Sequence, residues 1–421
     1  VQTRTVLISG ASVAGPALAF WLHRYGFDPV VVERAPRPRE GGYAVDVRGA
    51  AITAVERMGL LPDVRRAHTG TARARFVDGA GRTVAALDAG VIGGDTDGAD
   101  AELLRGHLAR ILIDATRSTC EYVYGDSIAA LEEGPAGVRV SFENGPDRVV
   151  DLVVGADGLH SNVRALAFGP EERYLRHLGR YIAICTVPNH LGLDREAVLC
   201  TTPGRVAGLY SGAPHTARAE PPRAGEPPLT GPNPEAKALL AFARRDGGAT
   251  RPADRADRVR VLEEVFGGMG WEVPAVLAGV RADPDLYFDG ITQIRMPGWT
   301  RGRTDLVGDA AYGPSPMSGQ GTSMALVGAY VLAGELAAAG GDPAVALPRY
   351  EAETRAFMRA NQDIAAPGAR FLVPATAPGL RVRDLAVRSA PLLARLGAPG
   401  SRVGRAARSI TLRDYRDHAV R

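Results

Sequence analysis

The run VLISGASVAGPALAFWLHRYG, from Val6 to Gly26, constrains the fold more than any other stretch of this chain. A short apolar segment ends at Gly10, and apolar side chains then recur at helical spacing until Gly26. That order reads as strand, tight turn and helix, with Gly26 as the stop signal. A second apolar strand, PVVVERA, follows within a few residues. Together they open the chain with a βαβ unit of about 30 residues, the length such a unit needs.

The turn between the first strand and helix has glycine at Gly10 and Gly15, but Ser12 stands where the dinucleotide pattern G-x-G-x-x-G has its second glycine. Gly10 lets the chain bend sharply and Gly15 lets the helix pack close to the sheet. The backbone N–H groups of Ser12, Val13, Ala14 and Gly15 then face outward at a helix start, where the dipole favours an anion. Ser12 keeps its N–H and gives up only some clearance. Glu33 ends the second strand about 20 residues beyond the turn, where a carboxylate can accept from the ribose hydroxyls of an adenosine. The alternative for Glu33 is a solvated charge pair with Arg34.

Two further segments have the same form of buried strand followed by a glycine and aspartate turn. VVGADGLHSNVR carries Asp157 and Gly158, and DLVGDAAYGPSPMSGQGTSMAL carries Gly308 and Asp309 ahead of a long helix. In this order of three motifs the chain resembles the class A flavoprotein monooxygenases, the family of para-hydroxybenzoate hydroxylase, and most of all the branch with the tetracycline-inactivating enzymes. The likeness runs from Val6 to about Gln362, and in that branch a serine in the first turn is a known variant.

The resemblance implies FAD. Asp309 would accept from the ribityl chain with Gly308 allowing close approach, and the helix start around Gly319, Gln320, Gly321 and Thr322 would face the pyrimidine edge of the flavin. Arg105 in LLRGHL would reach the FAD, its bland alternative being an exposed helical arginine. Arg48 and Asp46, after the glycine pair in GGYAVDVRG, would contact the ring. Asp157 has two open readings, a nucleotide contact or the start of a helix near Ser161. The resemblance also implies NADPH or NADH as a transient reductant, and O2 addition at the flavin C4a to give a hydroperoxide that oxygenates an aromatic or polycyclic substrate. A reductase or halogenase on the same fold, or a non-catalytic FAD scaffold or cofactor-assisted cyclase, are the rivals; the halogenase W-x-W-x-I-P segment is absent, and the sole lysine, Lys237, lies beside a Pro-rich loop.

The fold expected is α/β: a Rossmann-like three-layer FAD-binding domain with an inserted antiparallel-sheet substrate domain and C-terminal helices. Residues 1–72, 98–165 and 283–342 are assigned to the first domain, 73–97 and 166–282 to the second, and 343–421 to helices packing across both. Within the second, KALLAFARR reads as a helix, and the Pro-rich loop 213–233 is too poor in apolar residues to pack and is expected to be mobile. Tyr210, Tyr287 and Phe288 are candidates to line a substrate pocket.

Composition excludes several classes. The net charge of +3 on 421 residues comes without a basic block, so nucleic acid is not expected as a partner. Cys120, Cys185 and Cys200 show no C-x-x-C spacing and the histidines are scattered, so neither a disulfide framework nor a metal site is expected. No apolar run reads as a membrane span and no basic-then-apolar leader opens the chain, which points to a reducing, cytoplasmic setting.

Overall fold

The computed structural model describes residues 4–38, 42–88, 99–227, 229–244, 252–395 and 402–419. Gly41 of the glycine pair, Pro228 of the Pro-rich loop, and the parts of the expected segments in 1–3, 89–98, 245–251, 396–401 and 420–421 lie outside the described residues.

A six-stranded sheet holds the first core. Its order is Thr300–Arg301, Thr304–Leu306, Leu152–Gly155, Thr5–Ser9, Asp28–Glu33 and Glu121–Tyr124. All neighbours run parallel except the first pair. Leu152–Gly155 is buried along its whole length, as a parallel strand covered on both faces must be. Ser9 pairs with Gly155 and Gly155 with Leu306, so three strands far apart in sequence end in one row. The three glycine-bearing turns therefore leave the sheet side by side.

The helix Ala14–Arg24 packs on the long helix Gly321–Ala338, and the small antiparallel sheet of Ile128–Gly134, Gly137–Phe142 and Arg148–Val150 joins the same core, giving the three layers. Gly321–Ala338 is long and apolar enough to cross a membrane by length and composition, contrary to the expectation that no run reaches that size. It is buried inside the protein, with every residue from Ser323 to Leu336 covered. A helix enclosed on all sides is apolar all round, which is why it mimics a span.

The second sheet has seven strands, ordered Tyr287–Ile294, Leu175–Pro188, Glu235–Ala243, Arg205–Ser211, Glu196–Thr202, Arg73–Val77 and Thr83–Asp88. It is antiparallel apart from one parallel pair, Arg73–Val77 with Glu196–Thr202. KALLAFARR, expected as a helix, is most of the strand Glu235–Ala243, central in this sheet. From Glu235 to Leu240 its residues alternate between full and partial burial, and two flanking strands supply the hydrogen bonds that override the helical preference of alanine and leucine. The helices Arg255–Phe266 and Val273–Ala282 cover one face of the sheet.

The Pro-rich segment, expected to be mobile, is tied at both ends. Buried Asn233 donates to the Thr216 hydroxyl at 2.7 Å, and the His107 ring nitrogen Nε2 lies 2.9 Å from the Arg218 carbonyl. The C-terminal helices bridge the two sheets: Pro343–Asp363 packs on Gly321–Ala338, Ala365–Leu372 on Leu175–Pro188, and Ala377–Arg395 on Thr83–Asp88.

Candidate active site

The first turn is sterically committed. Gly10 has φ +110°, and a Cβ there would lie 2.5 Å from the Ala156 carbonyl oxygen; a Cβ on Gly15 would lie 1.9 Å from the Gly10 carbonyl oxygen. Neither position accepts a side chain without moving backbone. Val13 precedes the helix Ala14–Arg24 and no side chain caps its start, so the first N–H groups remain available to an anion. Glu33 accepts from the Ala11 N–H at 2.8 Å and from the Ala35 N–H at 2.9 Å, which clamps the turn to the end of the second strand. Arg34 is exposed beside it.

The second turn is built around Asp157. Its carboxylate accepts from the Ser161 hydroxyl and from the Val163 N–H at 3.0 Å, while Ser161 accepts from the Arg164 N–H at 2.9 Å, so the helix Asn162–Phe168 is started by both. Burial pushes the Asp157 carboxyl above its ordinary range, against the pull of those hydrogen bonds. Arg164, fully buried, was not singled out from the sequence. It donates to Ala310 O at 2.9 Å, to Leu159 O at 2.6 Å and to Glu171 at 2.8 Å, tying the second turn to the third.

The third turn meets the first. Gly308 has φ +70°, and a Cβ there would stand 3.0 Å from the Ala14 methyl. Asp309 opens a four-residue helical turn, Asp309–Tyr312, earlier than the expected helix start, and Gly321 begins the long helix. A Cβ on Gly321 would lie 3.4 Å from Asp309 Oδ1 and one on Gly319 would lie 3.3 Å from Asp46 Oδ2. Thr322 follows, half-buried. Asp309 keeps solvent-accessible surface, yet the protein crowds it enough to push its carboxyl up, with Arg105 pulling the other way.

Arg105 begins the helix Arg105–Asp114 and donates to the Ser12 hydroxyl at 3.2 Å, so the residue that replaces the second glycine has a partner. Its N–H donates to the Tyr43 carbonyl at 3.0 Å, and the Tyr43 and Tyr287 rings lie 5.7 Å apart. Arg48 pairs with Asp46 at 2.8 Å, and its N–H donates to the Ser323 hydroxyl at 3.0 Å on the long helix. Ser315, in the loop between Asp309 and that helix, holds φ +84°, a backbone state that a residue with a Cβ adopts at a cost of roughly 1–3 kcal/mol and that clusters at functional sites. Gln320 is fully buried and neither atom of its amide has a partner among the described residues. An orphaned buried amide at the start of the long helix fits a polar group arriving from outside the chain.

Tyr210 and Tyr287 lie on the face of the seven-stranded sheet that looks toward Tyr43 and Arg105. Phe288 does not, and its assignment to the pocket is corrected: it packs on Tyr181 and Phe242, with ring centroids 6.0 and 6.3 Å away, on the face covered by helices. Successive residues of a strand face opposite ways, so Tyr287 and Phe288 cannot line one pocket.

Comparison with known proteins adds the family. Residues 3–171 match the model of the FAD binding domain. Over 98% of this chain and all of the relative, the sequence is 41% identical to the uncharacterized protein Rv1260 of Mycobacterium tuberculosis (strain ATCC 25618 / H37Rv). It is 38% identical to a flavin-dependent monooxygenase from an unknown prokaryotic organism, over 86% of this chain and 88% of that one. The FAD-dependent monooxygenase asL4 of Sarocladium schorii is 32% identical, over 97% of each. Among solved structures, the tetracycline destructase Tet(55) superposes with a TM-score of 0.80 at 34% identity, covering 98% of this chain and 99% of its own. Klebsiella pneumoniae HpxO, complexed with FAD and uric acid, shares the fold with a TM-score of 0.70 at 21% identity, over 93% and 95%.

Proposed function

The chain belongs to the class A FAD-dependent monooxygenases, close to the tetracycline destructases, and on that premise we propose that it uses NADPH or NADH and O2 to hydroxylate or epoxidise an aromatic or polycyclic small molecule. The observation that carries this reading is the single row of three turns at one end of the parallel sheet, the first and third of them closed by glycines at which a Cβ would crowd its neighbours. In open parallel sheets ligands bind beyond the carboxyl ends of the strands, which is where these turns lie.

FAD, when bound, supplies the centre at which reducing equivalents and dioxygen meet to give an electrophilic oxygen. The chain's own residues do the rest. Glu33 would hold the adenosine ribose, and the N–H groups of residues 12–15, with Arg105, would hold the diphosphate. Asp157 would add a contact through what its helix start leaves free. Gly308 and Asp309 would hold the ribityl chain. The helix start at Gly319, Gly321 and Thr322 would offer positive dipole to the negative charge that collects on reduction, and the Arg48–Asp46 pair would contact the ring. The face of the second sheet that carries Tyr287 and Tyr210 would exclude water and hold the substrate carbon in reach.

The test is turnover of purified protein with NADPH or NADH against a panel of polyketides and phenols. Ligand-stimulated nicotinamide oxidation matched by O2 uptake, with a product heavier by one oxygen atom, is the expected result. Tight FAD with no ligand-stimulated turnover across the panel would instead favour the scaffold reading.

A further inference from the structure

Strand register places the chain's only lysine where sequence position alone did not. On the sheet face that looks toward Tyr43 and Arg105, Tyr287 pairs with Ile184, Ile184 with Leu239 and Leu239 with Gly208, forming one row across four strands. Two residues along each strand lies the next row on that face: Thr186, Lys237 and Tyr210. The rows stand about 7 Å apart, twice the rise per residue of a strand. The residues between them, Cys185, Ala238 and Leu209, point the other way into the helix-covered core.

Lys237 is half-buried and its ammonium donates to the Thr186 hydroxyl at 2.8 Å. That is its one polar contact, and no carboxylate lies within ion-pair distance among the described residues. Glu235 sits one step further along the same face without pairing to it, and Glu102 is taken by the Thr69 and Thr71 hydroxyls. Beside Lys237 is a cavity of about 20 Å³, lined in part by Thr69, Tyr210, Ser211, Asn233 and Glu235. That is room for one water-sized atom and too little for a ring. Burial pushes the Tyr210 phenol above its ordinary value, so it stays protonated beside the ammonium. An ammonium has three N–H donors, and with one of them spent on Thr186 the group can still donate to an anion that arrives beside it. The chain otherwise uses arginine for its cations, and a lysine offers a compact charge where a planar guanidinium would overfill so small a space.

We propose that Lys237 is a specificity-determining residue that receives an ionised oxygen of the substrate, an enolate, phenolate or carboxylate, while the substrate's rings lie over the row of Tyr287, Ile184 and Leu239. The inference rests on the reading of this face as the substrate side. It narrows the substrate class to ring systems bearing an acidic oxygen about one row from the ring to be oxidised.

Equilibrium dialysis of the oxidised protein, with no nicotinamide present, tests it. The probes are 2-hydroxy-1,4-naphthoquinone, an acid ionised at neutral pH, and its 2-methoxy ether. Wild type is expected to hold the hydroxy probe at least ~10-fold tighter than the ether, the scale of a hydrogen bond to a charged group. Lys237→Met is expected to lose that preference while its affinity for the ether stays within about twofold, and Lys237→Arg to keep part of it, because the charge survives but the geometry does not. A wild type that binds both probes equally or neither, or a Lys237→Met protein that keeps the preference, overturns the proposal. Because dialysis needs no turnover, a chain that binds the acid through Lys237 yet oxidises nothing contradicts the monooxygenase reading alone.

Discussion

Ser12 looks like a defect in a fingerprint until its partner is seen: the hydroxyl accepts from Arg105, which approaches from a strand–helix junction 93 residues away. The N–H that an anion needs is the same for serine and glycine, so Ser12→Gly should leave the FAD content of the purified protein unchanged, within about twofold after desalting. Glu33→Ala is a different case. It strands the N–H groups of Ala11 and Ala35 and removes the acceptor assigned to the ribose. A loss of roughly 1–3 kcal/mol in urea unfolding is expected with weaker flavin retention, and wild-type values for both would remove Glu33 from the site. Legible from the sequence were the positions set by local backbone, Gly10, Gly15 and Gly308, whereas the clamp that Glu33 makes on the Ala11 and Ala35 N–H groups was not read from it. Arg164 and Lys237 escaped because what they do depends on partners brought in by tertiary structure. Phe288 was misplaced because choosing a face requires the strand's register, which composition does not carry.

Elements show the same division. The βαβ opening, the hairpins Arg73–Val77 with Thr83–Asp88 and Glu196–Thr202 with Arg205–Ser211, and the buried strand Leu152–Gly155 follow from periodicity and turn residues. Glu235–Ala243 does not, because alanine and leucine prefer a helix and only two neighbouring strands make the extended form cheaper. The link between the second turn and the strand Tyr287–Ile294 is His160, whose ring nitrogens lie 3.2 Å from Asp289 and 2.9 Å from Glu171. Hydrogen bonds to Asp289 and Glu171 hold its pKa up at about 9, against a burial effect that lowers it. A folded value above the unfolded 6.5 means that its stabilisation is fully present below pH 6.5 and is lost as pH rises through about 9. Chemical denaturation of wild type and His160→Gln across that window should show a gap that closes toward alkaline pH. A gap constant from pH 6 to about 10 would contradict the ion-pair role.

At the scale of the whole molecule, the C-terminal region acts as a brace. Tyr415 is almost fully buried, its ring covers Gly334 so closely that a Cβ there would lie 2.3 Å from it, and its hydroxyl donates to Glu335 at 2.6 Å. The long apolar helix is thus sealed by residues near the end of the chain. Tyr415→Ala should cost roughly 3–5 kcal/mol, seen as a lowered Tm, as expected for emptying a buried aromatic site; an unchanged Tm would show that the tail does not brace the core. The sequence announced three motifs in order, but their meeting in one row is a property of strand order in the sheet.

Absorbance of the purified protein, with FAD released by heat and counted against polypeptide, tests that meeting most directly when wild type and Asp309→Ala are compared. About one FAD per chain is predicted for wild type, and a soluble Asp309→Ala protein that loses most of it on desalting. A wild-type chain that stays colourless when offered excess FAD would contradict the account, as would an Asp309→Ala protein that keeps full colour.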